Sequence, residues 1–309
     1  MTNTYSPAHE LFKATEKSAA SSSVRYPSPP PALRWLRLQF KVLGRLAPEL
    51  AFRLQWKLFC TPRRLPVKSW EGPALAGARR RTVSNSTGPV QVYEWGAADA
   101  PAVVLVHGWE HRASFWHAWV PPLLAAGYRA VALDGPAHGA SAGRMATLTT
   151  FGSAVEAVLG TAGEVQAIVA HSFGAAVVAG LPVQLPGNAP LPRLVLLSAP
   201  ESPREVARRF AQLLQLPVPK TVARFARHIH EYTGREADSF AIAAGGPTLG
   251  AEQIMLLHDE HDAIVPFHES LQIAAAWPQA VLCPTRSLGH NRILRDPDVV
   301  RKAVEFIRH

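Results

Sequence analysis

Beyond Arg81 the chain becomes a succession of short apolar runs separated by longer stretches of helical periodicity, a pattern that few folds can accommodate. Val90–Trp95, Ala102–Val106, Tyr128–Leu133, Val165–Ala170, Leu194–Leu197, Gln253–Leu257 and Ala280–Pro284 read as strands. The later runs are almost continuously apolar, as strands covered by helices on both faces must be, whereas a half-exposed strand alternates. Strand and helix in alternation over residues 79–309 predict an α/β domain built on a doubly wound, mostly parallel β-sheet. Residues 201–250 break the pattern. There Arg208, Arg209, Arg224 and Arg227 are interspersed with Phe210, Leu213, Leu214, Phe225 and Ile229 without a strand signal, which predicts a small helical cap over the strand ends.

The region ahead of the sheet differs in kind. Residues 1–31 are poor in large apolar side chains and end in a proline cluster, so a disordered tail is expected. Over 32–66 the spacing predicts a basic amphipathic helical extension. Leu33, Leu36, Phe40, Leu43 and Ala47 share one face of a first helix, with Arg34, Arg37, Lys41 and Arg45 on another. Pro48 opens a second helix with a stripe of Leu50, Leu54 and Leu58, and Pro62 and Pro66 end helical structure. Two readings stand for residues 32–58. The apolar stripes pack on the main domain or on a second subunit, or the basic face, with Trp35 and Trp56, makes peripheral contact with a membrane.

Charge divides the chain along the same line. Residues 1–81 hold 15 Lys/Arg against 4 Asp/Glu, and the remainder 17 against 19, so the main domain has no basic footprint for nucleic acid. The first thirty residues lack the apolar stretch of a secretory signal, and no run is long enough to span a bilayer. Cys60 and Cys283 are the only cysteines and form no disulfide framework, so a cytoplasmic location is expected.

In a parallel sheet, reactive groups collect at the carboxyl ends of strands. The run Val165–Val169 leads into Ala170-His171-Ser172-Phe173-Gly174, a serine between small residues where a strand turns sharply into a helix. Other strand ends lead into His107-Gly108-Trp109-Glu110-His111, into Asp134-Gly135-Pro136-Ala137-His138-Gly139, into His258-Asp259-Glu260-His261-Asp262 with Val265-Pro266 following, and into Gly289-His290. The reactive residues therefore come in the order Ser, Asp, His.

With these motifs in this order, the sequence resembles the α/β-hydrolase superfamily of the serine hydrolase, esterase- or lipase-like type, over roughly residues 79–308. The resemblance implies that Ser172 is the nucleophile, Asp262 the acid and His290 the general base, with the backbone N–H groups of Trp109 and Phe173 as the oxyanion hole. Asp259 stands only three residues from Asp262 and is left as an exposed loop carboxylate; His258, His261 and His268 are read as solvated loop or capping residues. Trp109 and His171 are candidate substrate contacts, the Trp109 ring either walling an acyl pocket or capping the core. Asp134, His138 and Ser141 brace a turn in which Ala137 replaces the usual glycine. Phe210, Leu213, Leu214, Phe225 and Phe240 line the pocket or pack within the cap. No metal or cofactor is expected, because His107 and His111 do not share a helix face. The implied activity is cleavage of a small-molecule carboxylic ester or thioester through an acyl-serine. The alternative is a non-catalytic binding or membrane-surface scaffold that keeps the fold.

Overall fold

A computed structural model describes residues 30–245 and 250–309. Its single sheet has eight strands, β1 (Arg79–Asn85), β2 (Gly88–Trp95), β3 (Ala102–Val106), β4 (Arg129–Leu133), β5 (Val165–His171), β6 (Arg193–Leu197), β7 (Gln253–Asp259) and β8 (Ala280–Thr285), in the order β1-β2-β4-β3-β5-β6-β7-β8. β2 pairs antiparallel with β1 and β4, and every other pairing is parallel. The fold is the doubly wound, mostly parallel sheet read from the sequence.

One strand, β1, was not legible. It carries Arg79, Arg80 and Arg81, and only Val83 of its residues is buried, so no apolar run announces it. Pairing supplies what apolarity does not: β1 runs in register with β2 from Arg79 opposite Glu94 to Asn85 opposite Gly88. The buried Glu94 carboxylate receives Arg79, Arg81 at 2.7 Å and Arg129 at 3.4 Å.

Period-two alternation splits the central strands between two cores. Val104 and Val106 of β3 face one cluster with Ile168, Ala170 and Phe151, while Val103 and Leu105 face the other with Val169, Leu197 and Leu257. Ignoring single-turn pieces, the helices are α1 (Pro31–Leu46), α2 (Pro48–Cys60), α3 (Val120–Ala125), α4 (Leu148–Leu159), α5 (Phe173–Gly180), α6 (Pro203–Leu213), α7 (Val218–Thr233), α8 (His268–Ala276) and α9 (Pro297–Arg308). α4, α5 and α8 cover the first face; α3 and α9 cover the second. α9 shows how local sequence sets such an element. Asp296 accepts the N–H groups of Asp298 and Val299, Pro297 occupies the first turn, and Val299, Val300, Ala303, Val304 and Ile307 form its buried face.

α1 and α2 meet at Ala47. Of the residues expected on the packed face of α1, Phe40 is buried and Leu33, Leu36 and Leu43 are half-buried. On α2 the stripe of Leu50, Leu54 and Leu58 does not pack on the main domain; its residues are 49%, 42% and 41% exposed. The opposite face packs instead, because Phe52, Trp56 and Phe59 offer more area than three leucines. They surround Phe225 of α7 edge-to-face at 5.0–5.6 Å, and Phe59 meets Phe210 of α6 at 5.2 Å. Phe210 and Phe225 therefore pack against α2, Phe240 and Ile229 join the first core cluster, and Leu213 is exposed. Of the expected disordered tail, residues 1–29 lie outside the described residues, and Pro31 begins α1.

After α2 the chain crosses to the sheet through 61–66, where arginines bind the loops above the strand ends. Arg63 grips the Glu110 carboxylate with Nε and Nη2 at 2.8 and 2.7 Å. Arg64 donates to the carbonyls of Gly139, Ser141 and Gly143 at 3.1, 2.8 and 3.1 Å, and Arg112 donates back to the Leu65 carbonyl at 2.7 Å.

Candidate active site

The strand order reverses around β3: the chain passes from β3 to β4 on one side, then to β5 on the other. A crevice at the carboxyl ends of β3 and β5 follows from that topology, and the loops bearing Trp109 and Ser172 flank it. At Ser172 the backbone takes φ +52° and ψ −118°, a costly conformation for a side-chain-bearing residue, and α5 starts at Phe173. The Ser172 N–H donates to the Leu197 carbonyl at 2.9 Å, which holds the corner. A Cβ on Gly174 would lie 2.5 Å from the Val106 carbonyl oxygen and 2.6 Å from that of His107, so only glycine fits where α5 passes β3. Gly108 is under the same constraint, since its Cβ would stand 2.8 Å from His171 Nδ1 and 3.0 Å from Ser172 Cβ.

Three side chains from distant loops connect here. His290, in a single turn after β8, places Nε2 3.0 Å from Ser172 Oγ and Nδ1 2.7 Å from Asp262 Oδ2. The other Asp262 oxygen accepts the N–H groups of Ile264 and Val265 at 2.8 and 3.0 Å. Burial opposes the Asp262 charge, yet hydrogen bonds from His258, His290 and the Val265 N–H hold this carboxyl well below the usual carboxylate range. An ionised carboxylate only accepts, so His290 Nδ1 carries the proton and Nε2 is free to accept from the serine hydroxyl.

Two neighbours differ from their reading in the sequence. His258 is fully buried instead of solvated; its Nε2–H donates to the Val265 carbonyl at 2.9 Å and stands 3.4 Å from Asp262 Oδ2, while Nδ1 accepts the Ser270 hydroxyl at 2.6 Å. Asp259 is likewise buried, because it ends β7 and faces the loop after β8. It accepts Thr285 Oγ1 and the Leu288 N–H at 2.9 Å each, and the His261 N–H at 3.0 Å. Of the two carboxylates, Asp262 is the one bonded to His290, and Asp259 braces the loop leading to it.

The backbone N–H groups of Phe173, next in the chain to the serine, and of Trp109, next to the Gly108 that packs against Ser172, have no acceptor among the described residues. The Trp109 ring is half-buried and packs edge-to-face on Phe173 at 5.1 Å and on His138 at 5.3 Å. His171 is fully enclosed, so the substrate contact expected of it finds no support in its surroundings. It lies beneath the His290 turn, its Nε2 2.9 Å from the His290 carbonyl oxygen, and its ring stacks on that of His111 at 5.4 Å and 4°. Burial, reinforced by His290 and His138, pushes His111 down to about 4; burial also pushes His138 to about 4 and His107 and His171 well below the ordinary range.

Asp134 faces its own loop, accepting the N–H groups of Ala113 and Ala140 at 2.7 and 2.8 Å, while Ser141 bonds its carbonyl. Ala137 in that loop has φ +63°, where glycine is at ease and alanine is strained. His107 Nε2 accepts the Gly135 N–H at 2.9 Å and ties this loop to that of Trp109. The hydroxyl, imidazole and carboxylate in series have the arrangement needed to remove a proton from the serine.

A family model described as alpha/beta hydrolase family matches residues 103–303, from β3 into α9. No curated protein sequence matches significantly. Among solved structures, an esterase from Exiguobacterium antarcticum is 15% identical with a TM-score of 0.58, covering 75% of this chain and 100% of its own. The Pyrococcus furiosus esterase is 17% identical with a TM-score of 0.57, covering 81% and 96%. A thioesterase domain from the curacin biosynthetic pathway is 17% identical with a TM-score of 0.51, covering 75% and 99%.

Proposed function

Since the chain belongs to the alpha/beta hydrolase family, we propose that it cleaves a carboxylic ester or thioester by acyl transfer through Ser172. The observation behind this reading is the unbroken series Ser172–His290–Asp262, at 3.0 and 2.7 Å, hung on a strained corner at the family's nucleophile position. His290 takes the Ser172 proton as Oγ bonds to the substrate carbonyl carbon, and Asp262 stabilises the imidazolium. The carbonyl oxygen becomes an oxyanion that the Trp109 and Phe173 N–H groups receive. Collapse expels the alcohol or thiol, which leaves with the proton from His290. Water, deprotonated by His290, then releases the acid and restores the serine. The names of the esterase and thioesterase neighbours agree with such a substrate class.

A fluorophosphonate probe should label the wild type and leave Ser172→Ala unlabelled, with hydrolysis of short p-nitrophenyl esters falling on the order of 10⁴-fold in Ser172→Ala and His290→Ala. A folded wild-type protein that takes no label would overturn the proposal. Acyl thioesters run beside the esters would assign the bond cleaved.

A further inference from the structure

α1 has two apolar faces. One, with Leu33, Leu36, Phe40 and Leu43, packs inward. Trp35, Leu38, Val42 and Leu46 recur at intervals of three and four on the opposite side, 64%, 57%, 48% and 79% exposed. Past the Ala47 corner, Leu50, Leu54 and Leu58 of α2 are exposed as well. Solvent-facing helices ordinarily put charge at such positions, and seven exposed large apolar side chains on two successive helices mark a contact surface.

Charge identifies what the surface contacts. Arg34, Lys41, Arg45, Arg53 and Lys57 are exposed along the two helices and have no ion-pair partner among the described residues. The only acidic residue of the two helices, Glu49, is held by Arg224 at 2.5 Å. A groove of about 670 Å³ between α2 and α7, beside Trp56, sets Arg53, Lys220, Arg224 and Arg227 against Glu49 and Glu231, an excess of cations. We infer that the α1–α2 hairpin lies on an anionic lipid bilayer, its leucines and Trp35 in the interfacial layer and its cations on the lipid phosphates. A second copy is the poorer occupant, because a twofold contact sets this face against itself and brings the unpaired cations of each copy together. Among the described residues no helix is long and apolar enough to cross a membrane, so the contact is along the surface.

Vesicle sedimentation of the full chain tests this independently of any hydrolytic activity. The wild type should partition onto vesicles of phosphatidylcholine with phosphatidylglycerol, far less onto phosphatidylcholine alone, and should be released by salt. Leu38→Ser/Val42→Ser/Leu46→Ser and, separately, Lys41→Glu/Arg45→Glu should each lower partitioning roughly tenfold or more, with near-UV circular dichroism and melting temperature unchanged because these side chains are exposed. Failure of the wild type to bind anionic vesicles, or binding of the serine variant equal to wild type, overturns the inference. So does light scattering that finds a wild-type dimer made monomeric by the serine substitutions.

Discussion

His111 is half-buried and His138 buried, both as neutral imidazoles, and this makes the fold sensitive to acid by a route apart from its carboxylates. An unfolded histidine takes up a proton near pH 6.5, whereas these two do so only at about 4. Between those values the unfolded chain binds more protons than the folded one, so stability falls as pH is lowered through the window, on the order of 3 kcal/mol for each such residue. Urea titrations at pH 7.5, 6 and 5 should show this loss, and His111→Phe, which keeps the stack on Phe115 and His171, should flatten the dependence. Asp262 acts in the same direction over a lower pH window. Its folded pKa is depressed, so its contribution is complete above the unfolded carboxylate range and is lost only at lower pH.

At the level of elements, the aromatic cluster around Phe225 fastens the extension to the cap. Phe225 is 1% exposed and touches residues of α2 and α6 alike. Phe225→Ala should cost about 3–5 kcal/mol in chemical denaturation and expose Trp56, read as a red shift in fluorescence. These elements also show which parts of the molecule the sequence discloses. Of the seven strands read in the sequence, β3 to β7 are visible because a strand buried on both faces must be continuously apolar, and the residues after them are visible because topology fixes where strand ends meet. β1 is invisible because an edge strand can be built from arginines when a partner supplies the pairing. The pairing of His290 with Asp262 is legible through order and motif. The burial of His258 and Asp259 is not, since an acid-rich loop has the same composition whether it is solvated or folded back on β7. The outer row of α1 is not legible because its residues alternate with cations, and two opposed apolar faces blur into one amphipathic helix.

Across the whole molecule, the strap at 61–66 links the cationic hairpin to the loops above the strand ends. Arg63→Ala removes an exposed ion pair, so its effect on melting temperature should be small. It frees Glu110, which stands next to Trp109 at φ +60°, and ester hydrolysis should fall about tenfold through a misplaced N–H, with vesicle partitioning unchanged. Steady-state kinetics beside sedimentation would separate the two. The fork of Arg64 on three carbonyls has a practical bearing on where the family's domain begins. The family match starts at residue 103, well after the arginines that span its loops. A trimmed protein cut at β1 would keep every reacting atom and lose the splint that sets two of its loops, so weak turnover by such a fragment would measure the cut and not the chemistry.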